Sequence, residues 1–235
     1  MLNPDIRSTP MPHRILTWDG CNNVRDLGGL RTGDGRMTRP GVVVRSDTPS
    51  RLTAAGWSAL YAYGIRTIIT LRTYGITEEE LSFTSPYPDI NHIQAEIEDL
   101  TDEEFVRKWV DTNLWGTPLY FRDTLLRWPA RHAAVFSAIA QARPGGVLFH
   151  CKRGYDRTGI ISLLLLGFSG VVPEDIVADY ELSRDDFREE LLARENSTVR
   201  AAIQNTLDGF DFDSYLQMGG VSPEDLSAFR QRFVG

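Results

Sequence analysis

The chain has 235 residues, which is enough for one large domain or two small ones with a full hydrophobic core. Its net charge of −7 argues against a general nucleic-acid-binding protein, because such proteins need a basic face to release counterions from phosphates. Two cysteines exclude a disulfide framework. The sequence shows no long apolar run and no basic-then-apolar leader, so we predict a cytoplasmic protein without stable membrane insertion, with export by an unrecognised route left open.

The first half of the chain alternates strand and helix patterns. We expect a loose arm over residues 1–13, which carry three prolines. Thr53 is placed to cap a helix that ends at Gly64. Three β-branched or apolar runs predict strands, of which the second should be buried on both faces: GVVVRS (41–46), RTIITLR (66–72) and INHIQAEI (90–97).

The second half is mostly helical in pattern. The acidic stretch EIEDLTDEEFVRKWV predicts a helix with Thr101 and Glu104 as a capping box, and residues 101–142 read as two or three helices. Three further elements are predicted in order: a strand over GGVLFH (145–150), an apolar helix over 158–168, and helices from Pro173 to the end.

Strands that alternate with helices predict an α/β fold with a central, mostly parallel sheet flanked by helices. No repeat or low-complexity segment divides the chain, so we expect a single domain over residues 1–235. The stretches 78–128 and 173–220 are expected to hold the elements of a helical lid.

The segment HCKRGYDRTG (150–159) carries charged residues between two apolar runs. A strand ending at His150 and a helix beginning at Thr158 would leave unpaired N–H groups and partial positive charge at the helix start, where phosphate binds readily. Gly154 lets the loop fold tightly, and the planar fork of Arg157 can bind two phosphate oxygens. The predicted phosphate-binding residues are Lys152, Arg153, Gly154, Tyr155, Asp156 and Arg157.

Cys151 lies at the base of this predicted loop. The loop amides, the helix dipole and Arg157 would hold its sulfur as a thiolate, which is an in-line nucleophile beneath a bound phosphoryl group. Thr158 could donate a hydrogen bond to that sulfur and help it leave in a second step. This chemistry needs no metal and no other cofactor. Cys21 has no arginine at the same spacing and is interpreted as structural.

The pattern His150-Cys151-x5-Arg157-Thr158 resembles the signature of the cysteine-dependent protein-tyrosine phosphatase superfamily. The run NVRDLGG (23–29) and the later VADYELS (177–183) are similar to bacterial phosphatases related to the mycobacterial tyrosine phosphatase B. The resemblance implies the superfamily's parallel-sheet fold and a two-step hydrolysis through phosphocysteine that uses no metal.

Two departures from these relatives affect the site. Relatives commonly have a lysine where this chain has Tyr155, and here Lys152 follows the cysteine instead, as in phosphatases that act on phosphoinositides. The usual Asp-Leu-Arg reads Thr70-Leu71-Arg72, so an acidic side chain near the site is expected to be missing.

Expulsion of the leaving group needs a proton donor, which is typically worth about 10²–10⁴ in rate. The superfamily often supplies it from a Trp-Pro-Asp loop, but Trp128-Pro129-Ala130 has alanine at that place, and Pro129 fits better as the start of a helix. Asp156 is the better candidate, because related bacterial enzymes have aspartate there. The alternative is that Asp156 only shapes the loop by hydrogen-bonding its amides.

Five other polar residues are candidates for supporting roles: Asn23, Arg25, Asp26, Arg45 and Asp47. The first three could form a polar network behind the loop or contact the substrate. The last two could face the pocket from a strand end or simply form an ion pair. His150 is expected to orient backbone. The acidic run from Glu96 to Glu104 is expected to be a solvated helix face.

These features favour a phosphatase for phosphotyrosine in proteins or peptides, with phosphoserine and phosphothreonine as further substrates. An alternative is a lipid or small-molecule phosphomonoesterase acting on phosphoinositides, inositol phosphates or nucleoside phosphates. Lys152 and Arg153 favour that alternative, whereas the acidic balance of the chain opposes it. A third hypothesis is a catalytically inactive phospho-binding module, which the retained Cys151, Arg157 and Thr158 oppose.

Overall fold

The computed structural model describes residues 14–235, and the arm predicted over residues 1–13 lies outside the described residues. Within the described part, five strands form one sheet in the order β1-β2-β5-β3-β4. Their bounds are β1 (Arg25–Asp26), β2 (Val43–Ser46), β3 (Ile65–Tyr74), β4 (Asn91–Asp99) and β5 (Gly146–His150). The four strands predicted from the sequence are therefore confirmed.

Neighbouring strands in the sheet are parallel except β1, which pairs antiparallel with β2. β5 lies between β2 and β3, and its last residue, His150, is in register with Ser46 of β2 and Thr70 of β3. Ligands of open parallel sheets bind at the carboxyl ends of the strands. The mostly parallel α/β fold is confirmed, and a ligand site is expected at this edge of the sheet.

Helices fill most of the remaining chain. Their bounds are α1 (Ala54–Ala62), α2 (Glu103–Phe105, continued by a π-helical turn Val106–Val110), α3 (Phe121–Arg127), α4 (Pro129–Ala140), α5 (Asp156–Phe168), α6 (Pro173–Glu181), α7 (Asp186–Arg194), α8 (Val199–Leu207), α9 (Phe212–Met218) and α10 (Pro223–Phe233). Within residues 14–235, none of these helices has the length and apolar character needed to cross a membrane.

Helix capping follows the sequence prediction at one position and departs from it at another. The Thr53 hydroxyl accepts from the backbone of α1 as predicted. Thr101 caps no helix, because its N–H and hydroxyl both donate to Asp99, at 2.9 and 2.6 Å. Asp102 caps α2 instead by accepting from the N–H of Phe105 at 3.0 Å. The capping box predicted for Thr101 and Glu104 is therefore wrong.

The hydrophobic core lies on both faces of the sheet. Consecutive residues of β2 divide between them, because Val43 packs with the cluster that contains α4 and α5 and Val44 with the cluster that contains α1. α5 is buried along nearly its whole length, as its run of leucines and isoleucines predicts. The loop before α5 is thus held between a central strand and a buried helix, which restricts its movement.

Candidate active site

The loop between β5 and α5 lies at the carboxyl end of the central strand. Gly154 has a φ of +70°, and a Cβ atom there would meet the carbonyl oxygen of Ser46 at 2.6 Å, so glycine is required. α5 begins at Asp156, earlier than the start predicted at Thr158. The N–H groups of this first turn lack helical acceptors and carry partial positive charge, which favours an anion.

Cys151 is almost completely buried and lines a cavity of about 420 Å³. The preceding His150 is held by its two ring nitrogens, which bond to the Thr70 hydroxyl at 2.8 Å and to the Cys151 carbonyl at 3.2 Å. Burial lowers the pKa of His150 to about 3, so the ring is neutral and orients backbone as expected. The Thr158 hydroxyl is buried and has no hydrogen-bond partner among the described residues, so the bond expected to the sulfur is not formed.

The guanidinium of Arg157 is occupied along one edge only. Nη1 and Nη2 donate to the two carboxylate oxygens of Glu78 at 2.8 and 2.7 Å, and Nη1 also donates to the Leu71 carbonyl at 2.9 Å. In the described part of the chain nothing accepts from Nε or from the second N–H of Nη2, which share the adjacent edge. That edge can bind two phosphate oxygens. Burial opposes the charge, but Cys151, Glu98 and Glu78 raise the pKa of Arg157.

Glu98 lines the same cavity and was not predicted there. It is fully buried in β4, where it accepts from the Tyr120 hydroxyl at 2.6 Å and the Thr73 hydroxyl at 3.0 Å. Burial raises its pKa. The prediction that the run from Glu96 to Glu104 forms a solvated helix face is therefore wrong, since Glu96 to Asp99 belong to a strand that carries Glu98 into the core.

The sequence predicts that an acidic side chain near the site is missing, but Glu78 supplies one. It follows β3 and lies in the short segment before a 3₁₀ turn, where one carboxylate oxygen also accepts from the N–H of Thr73 at 3.1 Å. Thr70 occupies the position of the missing aspartate and bonds to His92 and His150. The carboxylate partner of Arg157 is thus Glu78, which follows β3.

Asp156 lines the cavity as the first residue of α5. One carboxylate oxygen accepts from Arg188 on α7 at 2.5 Å, and the other is buried without a partner among residues 14–235. Burial raises the pKa of Asp156, although Arg188, Arg157 and Arg153 favour its ionised form. Its place in the cavity wall and the raised pKa are the two features that support Asp156 as the candidate general acid.

Among the other loop residues, Lys152 and Arg153 line the cavity and Tyr155 does not. Lys152 Nζ lies 2.7 Å from Glu80, and Arg153 Nη1 lies 2.9 Å from Asp185. Tyr155 donates its hydroxyl to a backbone carbonyl at 2.9 Å. Each lysine and arginine side chain that lines the cavity is therefore paired with a carboxylate.

Five apolar side chains also line the cavity and form its apolar rim. Its members are Ile76, Val110, Trp115, Phe187 and Leu191. Phe187 on α7 is 62% exposed, although large apolar side chains usually find cover. Four of these residues come from the stretches 78–128 and 173–220, and Ile76 is the fifth, so the cavity offers apolar contacts beside its charged groups.

The NVRDLGG segment lies behind the loop. The side-chain amide of Asn23 donates to two loop carbonyls at 3.1 and 3.2 Å, and Arg25 donates to Asn23 at 2.5 Å. Asp47 accepts from the N–H of Asn23 at 3.0 Å. Arg45 pairs with Asp179 at 3.2 Å. Both alternatives for Arg45 and Asp47 are therefore wrong, since they do not form an ion pair with each other and neither is among the residues that line the cavity.

Comparison with known proteins gives the chain a family context. The profile of the tyrosine phosphatase family matches residues 16–235. A candidate tyrosine-protein phosphatase of Cupriavidus necator is 31% identical over 185 residues, covering 76% of this chain and 67% of that protein. The triple specificity protein phosphatase PtpB of Mycobacterium tuberculosis is 29% identical over 197 residues, covering 71% of this chain and 68% of that protein.

Two further similarities are more limited in extent or degree. A tyrosine-protein phosphatase of Nostoc commune is 34% identical over 144 residues, covering 60% of this chain and 47% of that protein. The solved structure of the Siw14 catalytic core covers 75% of this chain and 84% of its own, with 18% identity and a TM-score of 0.43.

Proposed function

The chain belongs to the tyrosine phosphatase family, and from this premise we propose that it is a cysteine-dependent phosphomonoesterase whose substrates are phosphotyrosine-containing proteins or peptides. The observation that carries the proposal is one loop that combines Cys151, the half-free guanidinium of Arg157 and a helix start at Asp156. These are the nucleophile, the phosphate-binding fork and the anion site that the reaction needs.

In the first proposed step the Cys151 sulfur attacks phosphorus, a sulfur–phosphorus bond forms, and the bond to the leaving oxygen breaks. Asp156 gives its proton to that oxygen. In the second step Asp156 takes a proton from water, the water oxygen attacks phosphorus, and the sulfur leaves with release of inorganic phosphate. Thr158, whose buried hydroxyl has no partner among the described residues, is available to donate to the departing sulfur.

Arg157 has the central binding role in this proposal. Its Nε and Nη2 donors hold two phosphate oxygens, while Glu78 keeps the other edge and so fixes the plane of the guanidinium. The backbone N–H groups of residues 152–157 supply the remaining donors, because the loop runs into the unpaired first turn of α5.

The apolar rim supports an aryl phosphate as the substrate. A phosphotyrosine ring that carries its phosphate to the loop would pass beside Phe187 and Trp115, which offer aromatic faces and edges. A phosphoinositide would instead need free cations for its further phosphates, and Lys152 and Arg153 already face Glu80 and Asp185. Those two cations are the one observation that favours the lipid alternative, since an incoming phosphate could compete for them.

We also propose that the chain is a single phosphatase domain in which α7 and the segment before α3 act as the lid predicted from sequence. A catalytic thiol must stay reduced, which favours the cytoplasm as its compartment. Turnover of p-nitrophenyl phosphate by the wild type, lost in Cys151→Ser, tests the activity. A panel of phosphopeptides and phosphoinositides tests the substrate class, and binding of a phosphopeptide without turnover by the wild type would favour the inactive binding module.

A further inference from the structure

Three buried arginines converge on one carboxylate behind the loop between β5 and α5, which is the catalytic loop of the proposed function. Asp179 of α6 is contacted by Arg14, by Arg25 at 3.5 Å and by Arg45 at 3.2 Å. Each of the four side chains is less than a tenth exposed, and Arg45 is completely buried. The cluster therefore holds three positive charges against one negative charge. Because replacing buried ionic groups by apolar ones often stabilises a fold, this excess of buried positive charge points to a role other than stability.

The cluster reaches the catalytic loop through Arg45. Its Nη2 donates to the carbonyl of Gly154 at 2.6 Å, the same carbonyl that accepts from Asn23 at 3.2 Å. The carbonyl of Lys152 accepts from the N–H of Thr48 at 3.2 Å. The outer face of the loop is thus bonded to β2 and its flanks.

These bonds determine where the loop amides point. In a planar trans peptide the N–H points opposite to the carbonyl of the preceding residue. Since the carbonyls of Lys152, Arg153 and Gly154 are bonded outward, the N–H groups that follow them are turned to the inner side, where the phosphate is proposed to bind. A loop without this outer support could flip a peptide and place a carbonyl against the anion.

We propose that Arg45, held by Asp179, is a positioning residue of the proposed phosphatase site that orients the loop peptides and supplies a fixed buried positive charge behind Cys151. The inference rests on the proposed function, because it assigns a role only if the loop binds phosphate and the sulfur reacts. It adds to that function an element outside the loop, formed by β2 and α6.

The surroundings of Arg45 support a charge effect on the sulfur. Its charged or titratable neighbours include Arg25, Asp179, Tyr180 and Cys151. Burial and the neighbouring Arg25 lower the pKa of Arg45 to about 10, so the guanidinium is still charged at neutral pH. A thiolate at Cys151 gains from that charge, whereas a neutral thiol does not.

The test compares Arg45→Met with Arg14→Met. Both remove one buried guanidinium from the cluster, but Arg14 donates to Asp179 and to the Asp26 carbonyl and makes no bond to the loop. Three quantities are measured: kcat/KM for p-nitrophenyl phosphate, the inhibition constant of vanadate, and the pH dependence of Cys151 alkylation by iodoacetamide. Thermal melting checks the fold of each variant.

For Arg45→Met we expect kcat/KM to fall and the vanadate constant to rise by about tenfold or more, the effect of one lost charge-assisted hydrogen bond. The midpoint of alkylation should move to higher pH, because the thiolate loses a stabilising charge. Arg14→Met should change kcat/KM by less than about threefold. Equal losses in both variants, or an unmoved alkylation midpoint in Arg45→Met, would overturn the proposal.

Arg45→Lys keeps the test decisive if Arg45→Met does not fold. Lysine keeps the charge but lacks the fork that joins Asp179 to the Gly154 carbonyl, so kcat/KM should fall while the alkylation midpoint stays near that of the wild type. Wild-type values of both quantities in Arg45→Lys would contradict the positioning role. A wild type without any turnover would instead remove the proposed function, so the two failures are distinguishable.

Discussion

Replacing Asp156 by asparagine separates proton donation from loop structure. The substitution keeps the shape of the side chain and removes its ability to protonate a leaving group. Arg188 loses the negative charge opposite it but keeps Asp185 at 3.1 Å and the Gly116 carbonyl. The stability cost should therefore be that of one charge-assisted hydrogen bond, about 1.5–3 kcal/mol, which leaves a typical domain folded. Any fall in kcat/KM that exceeds the effect of this one hydrogen bond is then due to the lost proton donation.

The expected loss depends on the leaving group. For a phosphotyrosine peptide, whose phenol leaves poorly as an anion, kcat/KM of Asp156→Asn should fall by about 10²–10⁴. The loss should shrink steadily through a series of aryl phosphates with more acidic phenols, ending with p-nitrophenyl phosphate. A plot of log kcat/KM against leaving-group pKa should be nearly flat for the wild type and slope steeply downward for the variant.

The pH profile gives a second readout of the same substitution. Burial raises the pKa of Asp156, so the wild type keeps its proton to higher pH than an ordinary aspartate would. Activity falls as pH rises through that value, because the acid is then ionised, and this basic limb should flatten in Asp156→Asn. Equal losses for all leaving groups with an unchanged basic limb would refute the acid role and leave Asp156 as a loop-shaping residue.

Three other substitutions probe the partners of this chemistry. Arg188→Met removes a cation that favours the ionised form of Asp156, so the basic limb of kcat/KM should move to higher pH, and an unmoved limb would count against the pairing. Glu78→Gln leaves the guanidinium of Arg157 less firmly oriented, so we expect vanadate to bind about tenfold more weakly or worse, measured by inhibition of p-nitrophenyl phosphate hydrolysis. Wild-type inhibition would show that Arg157 is positioned without it. Phe187→Ala should raise KM for a phosphotyrosine peptide about two- to twelvefold while leaving an alkyl phosphate unaffected, which corresponds to one aromatic contact. Equal changes for both substrates would remove the aryl-binding role of the rim.

The local parts of the structure were predictable from the sequence because their causes are local. β-branched runs predicted β2 and β3, and the central strand, loop and helix around Cys151 followed from two apolar runs with glycine between them. The cap at Thr53 depends on atoms three residues away. Each of these signals lies within a few positions of the feature it predicts.

The acidic partners of the site were missed because their positions depend on distant contacts. Glu78 reaches Arg157 across 79 positions of the chain, and it sits in a stretch without helix or strand periodicity. Glu98 was assigned to an exposed helix because charged residues usually lie outside, but Tyr120 and Thr73 satisfy it inside the core. Sequence patterns within a single helix or strand cannot predict these contacts between distant residues.

The buried arginines behind the loop were misread for a related reason. Arg45 and Asp47 are close in sequence, which suggested an ion pair between them. Arg45 is part of β2, whereas Asp47 lies just beyond the end of that strand, where its carboxylate accepts from the N–H groups of Asn22 and Asn23 instead. Asp179, on α6, lies 134 positions from Arg45, and only the fold brings them together.

In the proposed mechanism the phosphoryl group is transferred to the sulfur of Cys151 before it is transferred to water. The direct measurement is rapid quench of the wild type with a phosphotyrosine peptide, followed by mass spectrometry of the peptide that contains residues 150–157. We expect phosphorylated Cys151 to form within one turnover and to disappear as inorganic phosphate is released, with no such adduct in Cys151→Ser. Turnover without any adduct at Cys151, or turnover retained in Cys151→Ser, would contradict the account.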